Sequence, residues 1–248
     1  HNFNFKGTGT SIPVFSLKTN QSFGIGEFTD LYKMIDWVSI TGQQLIQLLP
    51  VNDTTTTGTW RDSYPYSAIS IYALHPIYLG CNALPLTDKK KFQLYAAEAS
   101  RLNSLPEINY EQVLQLKASY SRELFLELGE QVLSSDGYLT FYEMNSHWLF
   151  PYACYCYLRD RNKSADFLEW GEFRNFREQL LLHLMENNQD AKTEIHYWYF
   201  IQYLLHEQFS GVKEYARERG VALKGDIPIG ISRNSIDAWT APGLFNMD

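Results

Sequence analysis

The chain has 248 residues, enough for one large domain or for one domain carrying an insertion. A hydrophobic content of 45% permits a substantial core, while a formal net charge of -7 without any basic run argues against a general affinity for nucleic acid or anionic lipid. No stretch approaches the ~20 consecutive apolar residues that a membrane-spanning helix requires.

In chain order, His1-Asn2-Phe3-Asn4-Phe5 lacks an initiating Met and a basic region, so it reads neither as a signal peptide nor as a natural start. Thr10–Leu17 (TSIPVFSL) reads as a short buried strand whose first half Pro13 makes irregular. After the glycine-bearing loop Phe23-Gly24-Ile25-Gly26, the residues Leu31, Met34, Ile35 and Val38 fall at helical spacing. Gly42 sits where a helix commonly ends in the left-handed conformation. Leu45–Pro50 (LIQLLP) is nearly continuous in apolar residues, as expected of a parallel strand covered on both faces. Strand, helix and strand within about forty residues make a βαβ unit.

The interval from Val51 to Leu86 breaks this rhythm with Thr, Ser, Asp, Gly, Pro and Tyr. Long irregular loops are often binding loops, and this one leaves the carboxyl end of a predicted parallel strand, where α/β folds place ligands. From Thr87 to Phe209 the pattern turns helical. Val113, Leu116, Tyr120, Leu124 and Leu128 mark one amphipathic helix, Phe176, Leu180 and Leu184 a second, and Ile195, Trp198, Gln202, Leu205 and Phe209 a third. Tyr142–Leu158 reads as a packed turn region between them. Val212–Arg219 reads as a helix ending at Gly220, and Val221–Ile227 (VALKGDI) as a third strand. Asp248 follows Leu244-Phe245-Asn246-Met247 with no polar tail, so both ends read as boundaries inside a longer protein.

The three cysteines, Cys81, Cys154 and Cys156, form no CxxC pair and point to reduced thiols in a cytoplasmic protein. The histidines are dispersed, so no metal cluster is expected, and His75 and His206 read as structural. Gly24-x-Gly26 lacks the third glycine of a dinucleotide fingerprint, and Thr57-Gly58 is not followed by the Gly-Lys-Ser/Thr of a phosphate loop. Aromatic residues make 15% of the chain; most serve the core, but their flat faces also suit sugar rings.

Two places carry candidate chemistry. Asp226 stands at the end of the third predicted strand, where acidic residues of α/β barrels face the ligand; alternatively it accepts hydrogen bonds from the loop around Gly230 or caps the following helix. Asp53, Asp62 and Asp237 are the carboxylates that could approach it. Trp60-Arg61-Asp62-Ser63-Tyr64-Pro65-Tyr66-Ser67 mixes rings, hydroxyls and charges, which suits either a neutral polyol or a rigid lid packed on itself.

These segments resemble the 4-α-glucanotransferase family, also called amylomaltase or disproportionating enzyme and related to the α-amylases. The resemblance is carried in order by Phe23-Gly24-Ile25-Gly26-Glu27-Phe28, Leu48-Leu49-Pro50-Val51-Asn52-Asp53-Thr54, Asp62-Ser63-Tyr64-Pro65-Tyr66-Ser67 and Gly225-Asp226-Ile227-Pro228-Ile229-Gly230. Tyr199-x-x-Gln202, Tyr215-Ala216-x-x-Arg219-Gly220-Val221 and Asp237-Ala238-Trp239-x-x-Pro242-x-Leu244-Phe245 extend it. It implies an α/β fold: a partial (β/α)₈ TIM barrel, its first three strands present, with a mainly helical inserted subdomain. The divisions are then 1–86 for the first barrel segment and binding loop, 87–209 for the insertion and 210–248 for the third strand segment.

The resemblance also implies transfer of α-1,4-glucan segments by a retaining mechanism built on carboxylates, with no metal and no organic cofactor. The ligands are then maltooligosaccharides and α-glucans. Asp226 takes the place of the family's aspartate beside the reacting sugar, in a binding role, and Tyr66 that of the tyrosine lining the donor site. Tyr64, Asp62 and Ser67 complete the substrate-binding candidates. Shorter family members read Asp-Ser-Pro-Tyr, so the inserted Tyr64 and the Thr54–Thr57 run look more like the longer subgroup. The insertion leaves open which of Tyr64 and Tyr66 faces sugar. The nucleophile, acid/base and third carboxylate are expected beyond Asp248, so no catalytic residue is assigned. The 248-residue chain alone is expected to be inactive and to self-associate as a dimer. The alternatives are an α-glucan hydrolase of similar fold and a non-catalytic α-glucan-binding module.

Overall fold

The computed structural model describes residues 7–246; the His1–Phe5 stretch and Met247–Asp248, both read above as boundaries, lie outside the described residues. Three short strands, β1 (Gly9–Ile12), β2 (Leu45–Leu48) and β3 (Ala222–Lys224), form one parallel sheet in the order β1-β2-β3. Gly9 faces Leu45 and Ile12 faces Leu48 across the first pair, and Leu45 faces Ala222 across the second. The β1–β2 connection is the expected βαβ unit, with helix α1 at Leu31–Ile40. Its end is Thr41, after which Gly42 adopts φ +74, the left-handed geometry anticipated there. The three parallel strands and the helical region between β2 and β3 make the α/β, partial TIM-barrel architecture; the sheet is open rather than closed.

Each strand is shorter than its sequence suggests. β1 ends at Ile12, and Val14–Ser16 forms a single 3-10 turn, so the irregular half lies after Pro13 rather than before it. Proline has no amide to continue the ladder. The turn is then fixed by Gly26, whose amide donates to the Phe15 carbonyl at 3.1 Å. A Cβ there would stand 2.0 Å from the Val14 carbonyl oxygen, so no other residue fits this approach. On β2, Ile46 and Leu48 are buried while Leu45 and Gln47 are half-buried, so within the described residues the apolar run is fully covered on one face.

Five helices follow the loop: α2 (Lys89–Asn103), α3 (Tyr110–Leu133), α4 (Asp136–Asn162), α5 (Glu178–Asn187) and α6 (Gln189–Glu218). Asp88, Asn109, Ser135 and Asn188 cap α2, α3, α4 and α6 by accepting from first-turn amides. The turn region expected over Tyr142–Leu158 is instead the middle of α4, with Pro151 inside it. Its aromatic density reflects burial on several sides: Tyr152, Tyr155 and Leu158 are fully enclosed, with Tyr152 against Trp198 of α6 and Tyr155 against Trp170 and Trp239. The loss of a clear periodicity is what a helix surrounded by protein shows. Phe176 falls just before α5 rather than on it. Val212–Arg219 proves to be the last turns of α6, which runs unbroken from the helical block to β3 and stops at Gly220, φ +66.

The long loop after β2 is irregular but tightly bonded. The Asp53 amide donates to Ala73 and the His75 amide to Val51, both at 2.9 Å, closing its two limbs on each other. Two glutamines on α6 then each grip one residue's backbone. Gln202 Oε1 accepts from the Leu74 amide at 2.9 Å while its Nε2 donates to the Leu74 carbonyl at 2.8 Å. Gln208 grips both sides of Gly80 in the same way, at 2.8 and 3.0 Å. A buried ion pair adds a third anchor. Lys117 on α3 donates to Glu27 and, at 2.7 Å, to the Leu79 carbonyl. Burial pushes the Glu27 carboxyl up to about 7, and Lys117 is the main influence opposing that rise.

Two stability predictions follow from these anchors. Gln202→Leu keeps the volume but strands the Leu74 amide and carbonyl, and should cost about 2–4 kcal/mol in urea unfolding. Lys117→Met leaves Glu27 buried without its cation and should cost about 3–5 kcal/mol in the same measurement. Losses below about 0.5 kcal/mol, the scale of ordinary surface changes, would show that neither group anchors the loop.

Candidate functional site

Tyr66 lies in the loop after β2 and Asp226 two residues past the end of β3, 160 positions apart in sequence. The fold brings them together: the Tyr66 hydroxyl donates to Asp226 Oδ2 at 2.8 Å. Asp226 Oδ1 accepts from the Ile227 amide at 3.0 Å, so the carboxylate is held at both oxygens. Donation to a carboxylate raises the Tyr66 phenol above its ordinary value, so the tyrosine stays a hydrogen-bond donor. The partners of Asp226 are therefore Tyr66 and its own neighbour rather than the Gly230 loop. Neighbouring β2 and β3 is what makes the contact possible, since their parallel pairing sends both following loops to the same end of the sheet.

The segment joining Tyr66 to the helices is fixed from the other side. The Ser232 amide donates to the Ala68 carbonyl at 3.1 Å and the Ile236 amide to Ile69 at 2.8 Å. Short helix α7 (Ile236–Thr240) follows, and buried Trp239 donates its Nε1 to the Phe173 carbonyl at 2.9 Å. Trp239 sits edge-on among Trp170 and Phe176, so the post-β3 segment is nailed into the helical block by an aromatic cluster.

The other candidates separate by environment. Asp62 is buried and turned toward its own loop, accepting from the Thr57 amide at 2.9 Å, the Gly58 amide at 2.6 Å and the Thr56 hydroxyl at 2.8 Å. Its carboxylate closes the threonine-rich turn. Tyr64 is 60% exposed, with its ring 5.6 Å from that of Tyr66. Ser67 is exposed at the same turn. Trp60 stands 64% exposed at the other end of the segment. A cleft of about 230 Å³ lies beside it, lined by Trp60, Ser63, Pro65, Ile108 and Tyr110. Neither Asp53 nor Asp237 joins Asp226. Asp53 accepts from Thr55 and, at 2.7 Å, from the Tyr152 hydroxyl, while Asp237 accepts from the Ile71 amide at 3.1 Å.

Beneath this surface runs a buried polar network that the sequence reading missed as a unit. Gln202 Nε2 also donates to the Tyr152 hydroxyl, at 3.3 Å, which in turn donates to Asp53 at 2.7 Å. Arg159 on α4 donates to the Thr55 carbonyl at 3.0 Å. His75 Nδ1 accepts from the Ile77 amide at 3.2 Å, so the ring proton sits on Nε2, facing the Tyr110 hydroxyl at 3.0 Å. Burial lowers the His75 pKa, with Asp53 opposing, and the imidazole is neutral. The available signal was Asp53 and Gln202 within quoted motifs, but nothing in their spacing pairs them. Among the described residues, no group of three His, Cys, Asp or Glu is placed to hold a metal ion.

Comparison with known proteins bears on this geometry. A model of the 4-alpha-glucanotransferase family matches residues 12–248. The chain is similar to the 4-alpha-glucanotransferase DPE2 of Oryza sativa subsp. japonica, with 40% identity over 98% of this chain and 26% of that protein. It is 34% identical to a 4-alpha-glucanotransferase of Chlamydia muridarum, over 93% of this chain and 42% of the relative. The chain thus spans less than half the length of these relatives. A solved amylomaltase from Streptococcus agalactiae in complex with acarbose superimposes with a TM-score of 0.78 at 21% identity, over 98% of this chain and 48% of that one.

The buried imidazole gives the loop scaffold a pH dependence of known sign. A histidine whose folded pKa lies below its unfolded value of about 6.5 binds its proton more readily when unfolded. Its stabilising share is whole above that pH and is lost as pH falls toward the folded value. Urea midpoints taken at about pH 7.5 and about pH 5.5 should therefore converge more in a His75→Gln variant than in wild type. Identical pH slopes in the two proteins would show that His75 binds protons equally in both states.

Proposed function

Because the chain belongs to the 4-alpha-glucanotransferase family, we propose that the whole protein moves α-1,4-linked glucan segments from a donor to an acceptor sugar, and that Asp226 and Tyr66 contact the reacting ring. The observation that carries the assignment of residues is the bond from Tyr66 to Asp226, which unites two of the motifs by which the sequence resembles the family. A carboxylate held by a phenol and an amide is a fixed acceptor for a sugar hydroxyl. Such a charged hydrogen bond strengthens as the ring flattens toward an oxocarbenium ion, so it favours the transition state over the bound substrate. Tyr66 adds a face for stacking.

On this reading Asp62 shapes the loop, Tyr64 and Ser67 border the donor sugar, and the retaining chemistry uses carboxylates C-terminal to Asp248. The 248-residue chain by itself then turns nothing over. The names of the relatives favour transfer to a sugar over hydrolysis. The share of the rice protein that the chain spans supports the longer subgroup. No described helix is long and apolar enough to cross a membrane, and the three cysteines are free and buried, which supports a reducing compartment.

Incubating the full-length protein with maltotriose separates the outcomes. Products longer than the substrate indicate transfer, whereas glucose and maltose alone indicate hydrolysis. Asp226→Asn should lower turnover by roughly 10²-fold without moving the urea midpoint. Tyr66→Phe should lose less, and Tyr66→Ala should impair both KM and kcat. Near wild-type turnover in Asp226→Asn would remove that residue from the reacting sugar.

A further inference from the structure

A second cleft, of about 330 Å³, opens where the segment carrying Tyr66 continues to Tyr72. Tyr72 is half exposed, and its ring lies nearly parallel to that of Trp148, at 15° and 5.8 Å between centroids. His147 stands edge-on to the same ring at 5.7 Å. Trp148 is itself steadied by an Nε1 bond to Asn145 at 2.9 Å. An aromatic ring backed by another ring and open on its remaining surface is a rigid apolar platform.

The charged groups around the platform are of one sign, with the hydroxyls of Ser70 and Thr240 and the His147 ring beside them. Glu178 and Asp237 line the cleft, and neither lysine nor arginine does. Asp237 spends one oxygen on the Ile71 amide, 3.1 Å away. Pro151, also on the wall, lacks the amide that would serve the His147 carbonyl four residues earlier in α4. The cleft therefore offers acceptors beside an aromatic face. That combination repels phosphates and suits a neutral ligand rich in hydroxyl donors. Hydrogen bonds to Ser232, Ile236 and Asp237 tie the stretch 68–71, which begins two residues after Tyr66, to the post-β3 loop.

We propose that this cleft is a second α-glucan contact, in which a glucose unit stacks on Tyr72 and gives hydroxyl hydrogen bonds to Asp237 and Glu178. The inference rests on the glucanotransferase reading and adds to it a preference for long chains. A polymer can engage Tyr72 and the Tyr66–Asp226 pair together, gaining effective concentration at the second contact, whereas a trisaccharide gains nothing from it.

The test uses the full-length protein and the variants Tyr72→Ala and Tyr72→Trp, with glycogen and maltotriose as donors. Tyr72→Ala should raise KM for glycogen by about five- to tenfold while maltotriose kinetics stay within about twofold. Tyr72→Trp, which keeps a platform, should remain near wild type. An unchanged KM for glycogen, or an equal loss on both donors, overturns the proposal. Electrophoresis through a glycogen-containing gel reads the cleft without catalysis. Retardation that survives Asp226→Asn and disappears on adding Tyr72→Ala supports the second contact, and retardation indifferent to Tyr72 overturns it. A wild-type protein that turns over neither donor would refute the transferase reading, and the gel would still decide the fate of the cleft.

Discussion

The carboxamide of Gln202 is the constraint from which the arrangement of the loop after β2 follows. It lies on α6 almost wholly out of water, and a buried amide without partners is costly. Its partners are the backbone amide and carbonyl of Leu74 and the hydroxyl of Tyr152. Once Leu74 is placed, the Asn52–Leu74 bridge aligns the two limbs of the loop. Tyr152 in turn holds Asp53, and Asp53 holds the turn at Thr55. One side chain thus couples α6, α4 and the loop after β2. The helical block between β2 and β3 is therefore a mould for that loop as well as an excursion from the sheet.

The same logic explains what was legible in the sequence. Helices α3 and α6 show their apolar stripes because each keeps one face toward solvent, and α1 closes on a glycine whose geometry only glycine adopts easily. Asp226 was legible as a candidate because it ends a predicted strand, and Tyr66 because it lies in the ring- and hydroxyl-rich segment of the loop after another and in a motif of the resemblance. The resemblance put both near the sugar, but their mutual contact was not legible, since a pairing over 160 positions has no local signature. Helix α4 was misread because its middle is buried around most of its circumference and carries Pro151, so both usual guides to a helix fail there. The strand limits were misjudged for a different reason. Apolar residues continue past Ile12 and Leu48 because they are needed by the core, while the ladder stops where Pro13 and Pro50 withdraw their amides.

Two aspartates in the candidate set show how environment assigns roles that composition cannot. Asp62 and Asp226 each have a small neighbour, Ser63 and Gly225, in their motifs, yet one is enclosed and the other is not. Asp62 satisfies its oxygens with the amides and hydroxyls of residues 56–58, which leaves little capacity for a ligand. A carboxylate so used converts a flexible Thr-rich run into a defined turn, and this turn sets the direction in which Trp60 and Tyr64 leave the surface.

Asp226 is governed by the opposite requirement. Its support comes from one amide and one phenol, so each oxygen has lone-pair capacity left beyond the bond that orients it. The phenol is the more informative of the two. Because its proton is retained more firmly beside the carboxylate, Tyr66 stays protonated near neutral pH and directs its O–H at Asp226. The pair therefore has a fixed polarity, donor on the β2 loop and acceptor on the β3 loop. That polarity depends on the two loops being held at a constant separation, which the 68–69 to 232–236 backbone bonds and the Trp239 cluster provide from opposite sides. Orientation of the acceptor is thus a property of the packed helices, transmitted through the loops rather than supplied by the sheet alone.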